Sequence, residues 1–269
     1  MIYRTAEGGR IVRDRYRALL DRWPVDSERL TIPTRAGDTF VMASGPLDAP
    51  PVVALHGSGS NALTWMADIA TWAAALRVYA VDVIGEPGLS APSRPPLDSA
   101  QHAEWLDDVL AGLGLTSTAL LGMSLGGLLA VDYATRRPDR VSRLALLAPG
   151  GIGRRKTGWL VRALPFLFLG DWGGRRIARS VARGAAEDLI VATFKHFRPR
   201  VALPVFDEDT LRRLTMPTLV IVGGRDVMID SDDTVRRLAN TVPHADVRLL
   251  PEAGHHITGQ ALALVEFLR

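Results

Sequence analysis

The sequence contains no cysteine, which excludes disulfide staples and thiolate chemistry alike. It has no uninterrupted apolar run near the roughly 20 residues that a membrane-spanning helix needs. The first residues, Met1-Ile2-Tyr3-Arg4, continue with charges through Arg17. They hold no apolar core of a signal peptide, so a cytoplasmic protein is expected. Lysine is nearly missing too, occurring only at positions 156 and 195, and arginine supplies the rest of the 32 basic residues. The net charge of +3 therefore reflects an arginine skew of the kind a GC-rich genome produces. No basic helix interleaved with aromatics accompanies it, so nucleic acid is not an expected partner.

Hydrophobic residues make up 47% of the 269 positions and charged residues 23%, enough for one large globular domain or one domain with an insertion. Residues 9–23 carry apolar positions at helical spacing, with arginines opposite and Pro24 as a stop. Two short strands, Glu28–Pro33 and Thr39–Ser44, flank Ala36-Gly37-Asp38 and predict an antiparallel hairpin. From Pro51 onward, short apolar runs alternate with helical segments. The strands are Val52–Leu55, Arg77–Val83, Ser117–Gly122, Val141–Leu147, Thr218–Val222 and Asp246–Leu250. The helices are Ala62–Ala75, Ser99–Leu113, Leu125–Arg136, Asp232–Asn240 and Gly259–Arg269. Continuously apolar strands separated by helices predict an α/β fold with a mostly parallel sheet of about eight strands.

One interval breaks this rhythm. About 70 residues separate the strand ending at Leu147 from the one beginning at Thr218, far more than one crossover helix requires. The interval contains apolar stretches at 159–161 and 164–169, the Asp171-Trp172-Gly173-Gly174 turn, and a helical segment over Arg175–Phe197. Residues 151–210 are therefore expected to form a helical cap, with the core built from 1–150 and 211–269. Residues 151–204 hold eleven basic side chains against three acidic, while the remainder holds 21 against 26. Such a lid either favours substrates with an anionic group, or lies against a lipid surface, or is simply a solvated face. Nothing in the pattern fixes an oligomeric state.

The chemistry is carried by Leu120-Leu121-Gly122-Met123-Ser124-Leu125-Gly126-Gly127. A strand that turns abruptly into a helix lifts the serine at its apex clear of the backbone, and only glycines fit two residues to either side. A serine nucleophile further needs a base, an acid to orient the base, and donors for an oxyanion. Of six histidines, only His255 and His256 occupy a glycine-containing loop just after a strand, where open α/β sheets bind ligands; His255 is preferred. The acid is expected at Asp226 in Gly223-Gly224-Arg225-Asp226, with Asp230 as a substitute. The backbone N–H of Leu125 supplies one oxyanion donor. The loop His56-Gly57-Ser58-Gly59-Ser60-Asn61 supplies the second through Ser58, and His56 is expected to brace that loop.

With these parts in order, the chain resembles the α/β-hydrolase superfamily, whose succession of nucleophile, acid and histidine matches Ser124, Asp226 and His255. The likeness covers nearly the whole chain. One stretch departs from it: Asp82-Val83-Ile84-Gly85-Glu86-Pro87-Gly88-Leu89-Ser90 replaces the usual Asp-x-x-Gly-x-Gly-x-Ser. That altered loop looks like a bacterial carboxylesterase subgroup. The resemblance implies hydrolysis of a small or medium-sized apolar ester through an acyl-enzyme, with no cofactor and no metal. Thioesters, lactones and carbon–carbon bonds are open to the same triad, as is a ligand receptor that keeps a hydrolase-like pocket.

Overall fold

The computed structural model describes residues 1–156, 185–200 and 203–269. The chain opens with helix α1 (Ala6–Leu20), which begins earlier than the apolar stripe predicts because the Thr5 hydroxyl accepts the Gly8 N–H at 2.9 Å. Such a cap satisfies a backbone donor that the helix itself leaves orphaned. Strands β1 (Ser27–Ile32) and β2 (Thr39–Ser44) then pair antiparallel. Their connection bends through Gly37 at φ 105°, a conformation that a side chain would strain.

The predicted alternation follows: β3 (Pro51–Leu55), a 3-10 turn at Ala62–Trp65, α2 (Ile69–Ala73), β4 (Arg77–Val81), α3 (Gln101–Gly112), β5 (Thr118–Met123), α4 (Leu125–Arg136) and β6 (Val141–Leu147). After the long interval that follows β6 come β7 (Thr218–Gly223) and β8 (Asp246–Leu250). The eight strands form one sheet in the order β1-β2-β4-β3-β5-β6-β7-β8, antiparallel at β1–β2 and β2–β4 and parallel elsewhere.

The sheet separates two apolar cores. Along β3, Val53 and Leu55 face one core and Val52 and Ala54 the other, as the two-residue period of a strand requires. The first core is closed by α3 and α4 through Trp105, Leu106, Leu128 and Tyr133. The second is closed by α1 and α2, with Tyr16, Trp65, Ile69 and Trp72 all buried. All central strands are thus covered on both faces, which is why they read as unbroken apolar runs.

Several predicted elements differ by a few residues at their ends, and two of the differences bear on the loops after β3 and β4. The helix expected over Ala62–Ala75 is broken at Met66–Asp68, although its apolar stripe is buried throughout. The strand expected over Arg77–Val83 ends at Val81, because Asp82 turns its carboxylate back to serve three donors.

Much of the expected cap, including the stretches at 159–169 and the turn at 171–174, lies outside the described residues. Its entry, Arg154–Lys156, runs beside residues 228–230, with Lys156 N–H on the Met228 carbonyl at 2.9 Å and Asp230 N–H on that of Arg154 at 2.8 Å. Helix α5 (Ala185–His196) is the described part of the helix predicted over 175–197. It packs on α1, and Tyr3 meets Phe197 edge to face at 6.2 Å between ring centres. The return passes through α6 (Glu208–Leu211), with Phe206 N–H on the Gly151 carbonyl at 2.8 Å. Helices α7 (Ser231–Thr241) and α8 (Ala261–Leu268) complete the chain, on the first and second core respectively. No helix among the described residues is long and apolar enough to cross a membrane.

Candidate active site

Ser124 joins β5 to α4 at φ 52° and ψ −111°, a region that costs a side-chain-bearing residue on the order of 1–3 kcal/mol. The surroundings impose it. Ser124 N–H donates to the Leu147 carbonyl at 3.1 Å, and the Ser124 carbonyl accepts from Gly150 at 2.8 Å and Leu128 at 3.1 Å. The turn closes only because its flanks are bare. A Cβ at Gly122 would lie 2.5 Å from the Gly126 carbonyl oxygen, and one at Gly126 would overlap the carbonyl oxygen of Leu55. The half-buried hydroxyl therefore projects from the carboxyl end of the sheet, ahead of the α4 N-terminus and its positive dipole end.

His255 Nε2 lies 3.0 Å from Ser124 Oγ, and His255 Nδ1 lies 2.8 Å from Asp226 Oδ2. The chain of hydrogen bonds runs from a side chain 1% exposed at Asp226 to one 17% exposed at His255. Burial alone would push the Asp226 carboxyl up. The hydrogen bond and charge of His255, with the N–H groups of Ile229 and Met228, outweigh burial and hold it below the usual range. Asp226 is therefore a carboxylate, and its acceptor oxygen leaves the proton on His255 Nδ1 and the lone pair on Nε2.

Glycines also bring the acid and histidine loops together. A Cβ at Gly223 would overlap the Gly254 carbonyl oxygen. Arg225 N–H donates to Ala253 at 2.9 Å and Gly224 N–H to Leu250 at 2.8 Å. Asp226 Oδ1 accepts from Met228 at 2.7 Å and Ile229 at 3.0 Å, which fixes the plane of the carboxylate. Asp230, the substitute acid, instead caps α7 through the Asp233 N–H at 3.2 Å. His256 is exposed and makes neither of the two bonds that His255 makes.

The loop after β3 passes directly beside the serine, with a Cβ at Gly57 falling 3.4 Å from Ser124 Cβ. His56 is fully buried, and Val83 N–H donates to its Nε2 at 2.9 Å. That places the ring proton on Nδ1, which donates to the Gly57 carbonyl at 2.8 Å. Burial lowers the His56 pKa to about 4, against the hydrogen bond to Gly57, so the ring is neutral at ordinary pH. The Gly57 carbonyl also accepts from Ser60 N–H at 3.3 Å. A trans peptide is planar, so fixing that carbonyl fixes the Ser58 N–H in the opposite direction. Ser58 N–H makes no hydrogen bond to any described residue.

Two contacts at this site are not expected from the sequence, although Glu86 belongs to the loop that departs from the family pattern. Lys156, one of only two lysines, donates from Nζ to the Asp226 carbonyl at 3.0 Å. Glu86 is fully buried against the Ser58 loop. Among the described residues no group of three or more His, Cys, Asp or Glu is placed to hold a metal ion.

The family model described as "Alpha/beta hydrolase family" matches residues 52–267. Carboxylesterase YbfK of Bacillus subtilis is 30% identical over 95% of this chain and 90% of its own length. The crystal structure of that carboxylesterase superposes with a TM-score of 0.87 at 27% identity, covering 98% of this chain and 99% of the other. The crystal structure of naproxen esterase (carboxylesterase NP) from Bacillus subtilis gives 0.85 at 28% identity, covering 97% of each chain. The chain belongs to the alpha/beta hydrolase family.

Proposed function

We propose that this protein is a carboxylesterase that cleaves a small or medium-sized apolar carboxylic ester through an acyl-enzyme intermediate. The observation that carries the reading is the unbroken series of hydrogen bonds from Asp226 through His255 to Ser124 at a strained strand-to-helix turn. Relatives named carboxylesterases that span nearly the whole chain favour an ester over the other bonds such a triad cleaves.

In this reading Ser124 Oγ attacks the ester carbonyl carbon while its proton passes to His255 Nε2. The carbonyl π electrons move onto oxygen, and the N–H groups of Ser58 and Leu125 receive the resulting charge. Each such donor is worth about 3 kcal/mol in the transition state. As the tetrahedral species collapses, the C–O bond to the alcohol breaks and His255 returns the proton to the leaving oxygen. Water then attacks the acyl-enzyme with His255 as base, the bond to Ser124 Oγ breaks, and the carboxylic acid is released. Asp226 stays ionised and stabilises the imidazolium in both halves.

Residues 1–150 and 211–269 act as the hydrolase core in this reading, and 151–210 as the cap that shapes the substrate site. The described ends of that insertion support the division, since Phe206 returns to Gly151 beside the exit from β6. Turnover of p-nitrophenyl acyl esters of increasing chain length, beside thioester and lactone analogues, tests the substrate class. Ester turnover that disappears in Ser124→Ala is expected. Turnover of thioesters or lactones alone would overturn the ester reading.

A further inference from the structure

The stretch that departs from the family pattern has one more residue than usual between its glycines, Gly85-Glu86-Pro87-Gly88. The loop arches beside the β3 loop. Gly85 takes φ 73° and donates to the Ala91 carbonyl at 3.0 Å, and Gly88 N–H donates to the Glu86 carbonyl at 2.8 Å. The arch delivers a fully buried carboxylate to the loop that carries Ser58. Glu86 Oε2 accepts the Gly59 N–H at 2.7 Å and the Ser58 hydroxyl at 3.2 Å, while Asn61 Nδ2 donates to the Pro87 carbonyl at 3.0 Å.

A buried carboxylate is expensive unless something favours its charge. Arg200 Nε stands 3.6 Å from Glu86 Oε1, and the charges of Arg94 and Arg200 both favour ionisation, although burial dominates and raises the pKa. The two arginines also fasten the end of the insertion to this loop. Arg94 donates to the carbonyls of Gly85 at 2.9 Å and Arg198 at 2.6 Å, and Arg200 donates to that of Pro95 at 3.2 Å.

The consequence falls on Ser58. Its N–H belongs to the peptide plane held by His56 and Ser60 through the Gly57 carbonyl, and the next plane is the one whose N–H Glu86 accepts. Gly59 takes φ 74°, and no described atom lies within 4 Å of a Cβ position there, so nothing packs on that side. The hydrogen bond that holds the second plane is the one that Glu86 accepts. We propose that Glu86 is a positioning residue for ester hydrolysis, whose carboxylate pins the Gly59 peptide and so holds the Ser58 N–H toward the developing oxyanion. The proposal rests on the serine-esterase reading above.

The test compares Glu86→Gln, which keeps an acceptor for Gly59 but no charge, with Glu86→Ala and Glu86→Met, which keep no carboxamide or carboxylate. Ala and Met are expected to lower kcat by about 10- to 100-fold, with KM changed by less than about threefold. Gln is expected to recover most of the loss. The inhibition constant of an arylboronic acid, whose serine adduct mimics the tetrahedral intermediate, should rise in step with the fall in kcat/KM. If neither Ala nor Met folds, Glu86→Asp replaces them, since it keeps the charge and withdraws the acceptor by one methylene. Undiminished kcat in Ala and Met, a Gln variant as impaired as Ala, or a loss confined to KM would overturn the role of Glu86. A fluorophosphonate probe that labels wild type but not Ser124→Ala keeps the parent reading in place. An unlabelled, inactive wild type would overturn that reading and Glu86's role with it.

Discussion

Tyr16 donates its hydroxyl to Asp82 Oδ1 at 2.8 Å, with both side chains fully buried. The same carboxylate accepts the N–H of Ala62 at 2.9 Å and of Leu89 at 2.8 Å, tying α1, the β3 loop and the β4 loop to one point. Burial pushes its pKa up to about 6 despite the three hydrogen bonds. The folded protein thus keeps the proton to higher pH than the unfolded chain does, so ionising Asp82 costs stability. Its contribution should fall as pH climbs from about 4 to about 6, by at most about 3 kcal/mol. Urea unfolding of wild type and Asp82→Asn across that window reads the slope. Parallel pH curves for the two proteins would show that Asp82 titrates alike in both states.

The elbow glycines should be sharply unequal to others nearby. A Cβ at Gly126 would overlap backbone, which cannot move without separating α4 from β3, whereas nothing lies within 4 Å of one at Gly254. Gly126→Ala should cost more than about 3 kcal/mol or prevent folding. Gly254→Ala, beside His255, should change stability by less than about 1 kcal/mol. Thermal unfolding of the pair checks this, and similar midpoints would contradict the packing argument.

Asp226→Asn should fold, because an amide oxygen can still accept from Met228 and Ile229. Its amide nitrogen would then face His255 Nδ1 and force the proton onto Nε2, removing the acceptor for Ser124. A loss of about 10⁴ in kcat is expected. Asp230→Ala should lose only a helix cap, about 1 kcal/mol of stability, with kcat intact. Steady-state kinetics of both variants decide which carboxylate serves the histidine.

His56 has a lowered pKa of about 4 and spends its two ring nitrogens on Gly57 and Val83, so it should not titrate in the working range of the enzyme. His56→Ala should lower kcat and stability together, because the Gly57 carbonyl and the Val83 N–H each lose a partner. The acid limb of the pH–rate profile should keep its midpoint in any residual activity. A displaced midpoint would make His56 a proton carrier.

Wherever local chemistry sets the structure, the sequence is readable. The strand Val141–Leu147 and the helix Leu125–Arg136 span the residues predicted for them, since apart from Ser142, Arg143 and the terminal Arg136 their residues are buried. Periodicity over Ala62–Ala75 reports the buried face and not continuity: Trp65, Ile69 and Trp72 share a core although the helix breaks between them. Ser124, Asp226 and His255 could be singled out because each needs a glycine-bearing turn at a strand end. Glu86 also lies in a glycine-bearing turn after a strand, Gly85-Glu86-Pro87-Gly88, but nothing in that spacing pairs it with another loop. Its partners, Ser58 and Gly59, are some 28 residues away on another loop, and such pairing exists only once β3 and β4 lie side by side.

A serine nucleophile at Ser124 carries the acyl group between the two halves of the reaction. Rapid acid quench of the protein with a slowly deacylating p-nitrophenyl ester, followed by intact-mass and peptide analysis, captures that adduct. One added acyl mass per chain is expected, located on Ser124 and absent from Ser124→Ala. Ester turnover with no covalent adduct, or an adduct on another residue, would contradict it.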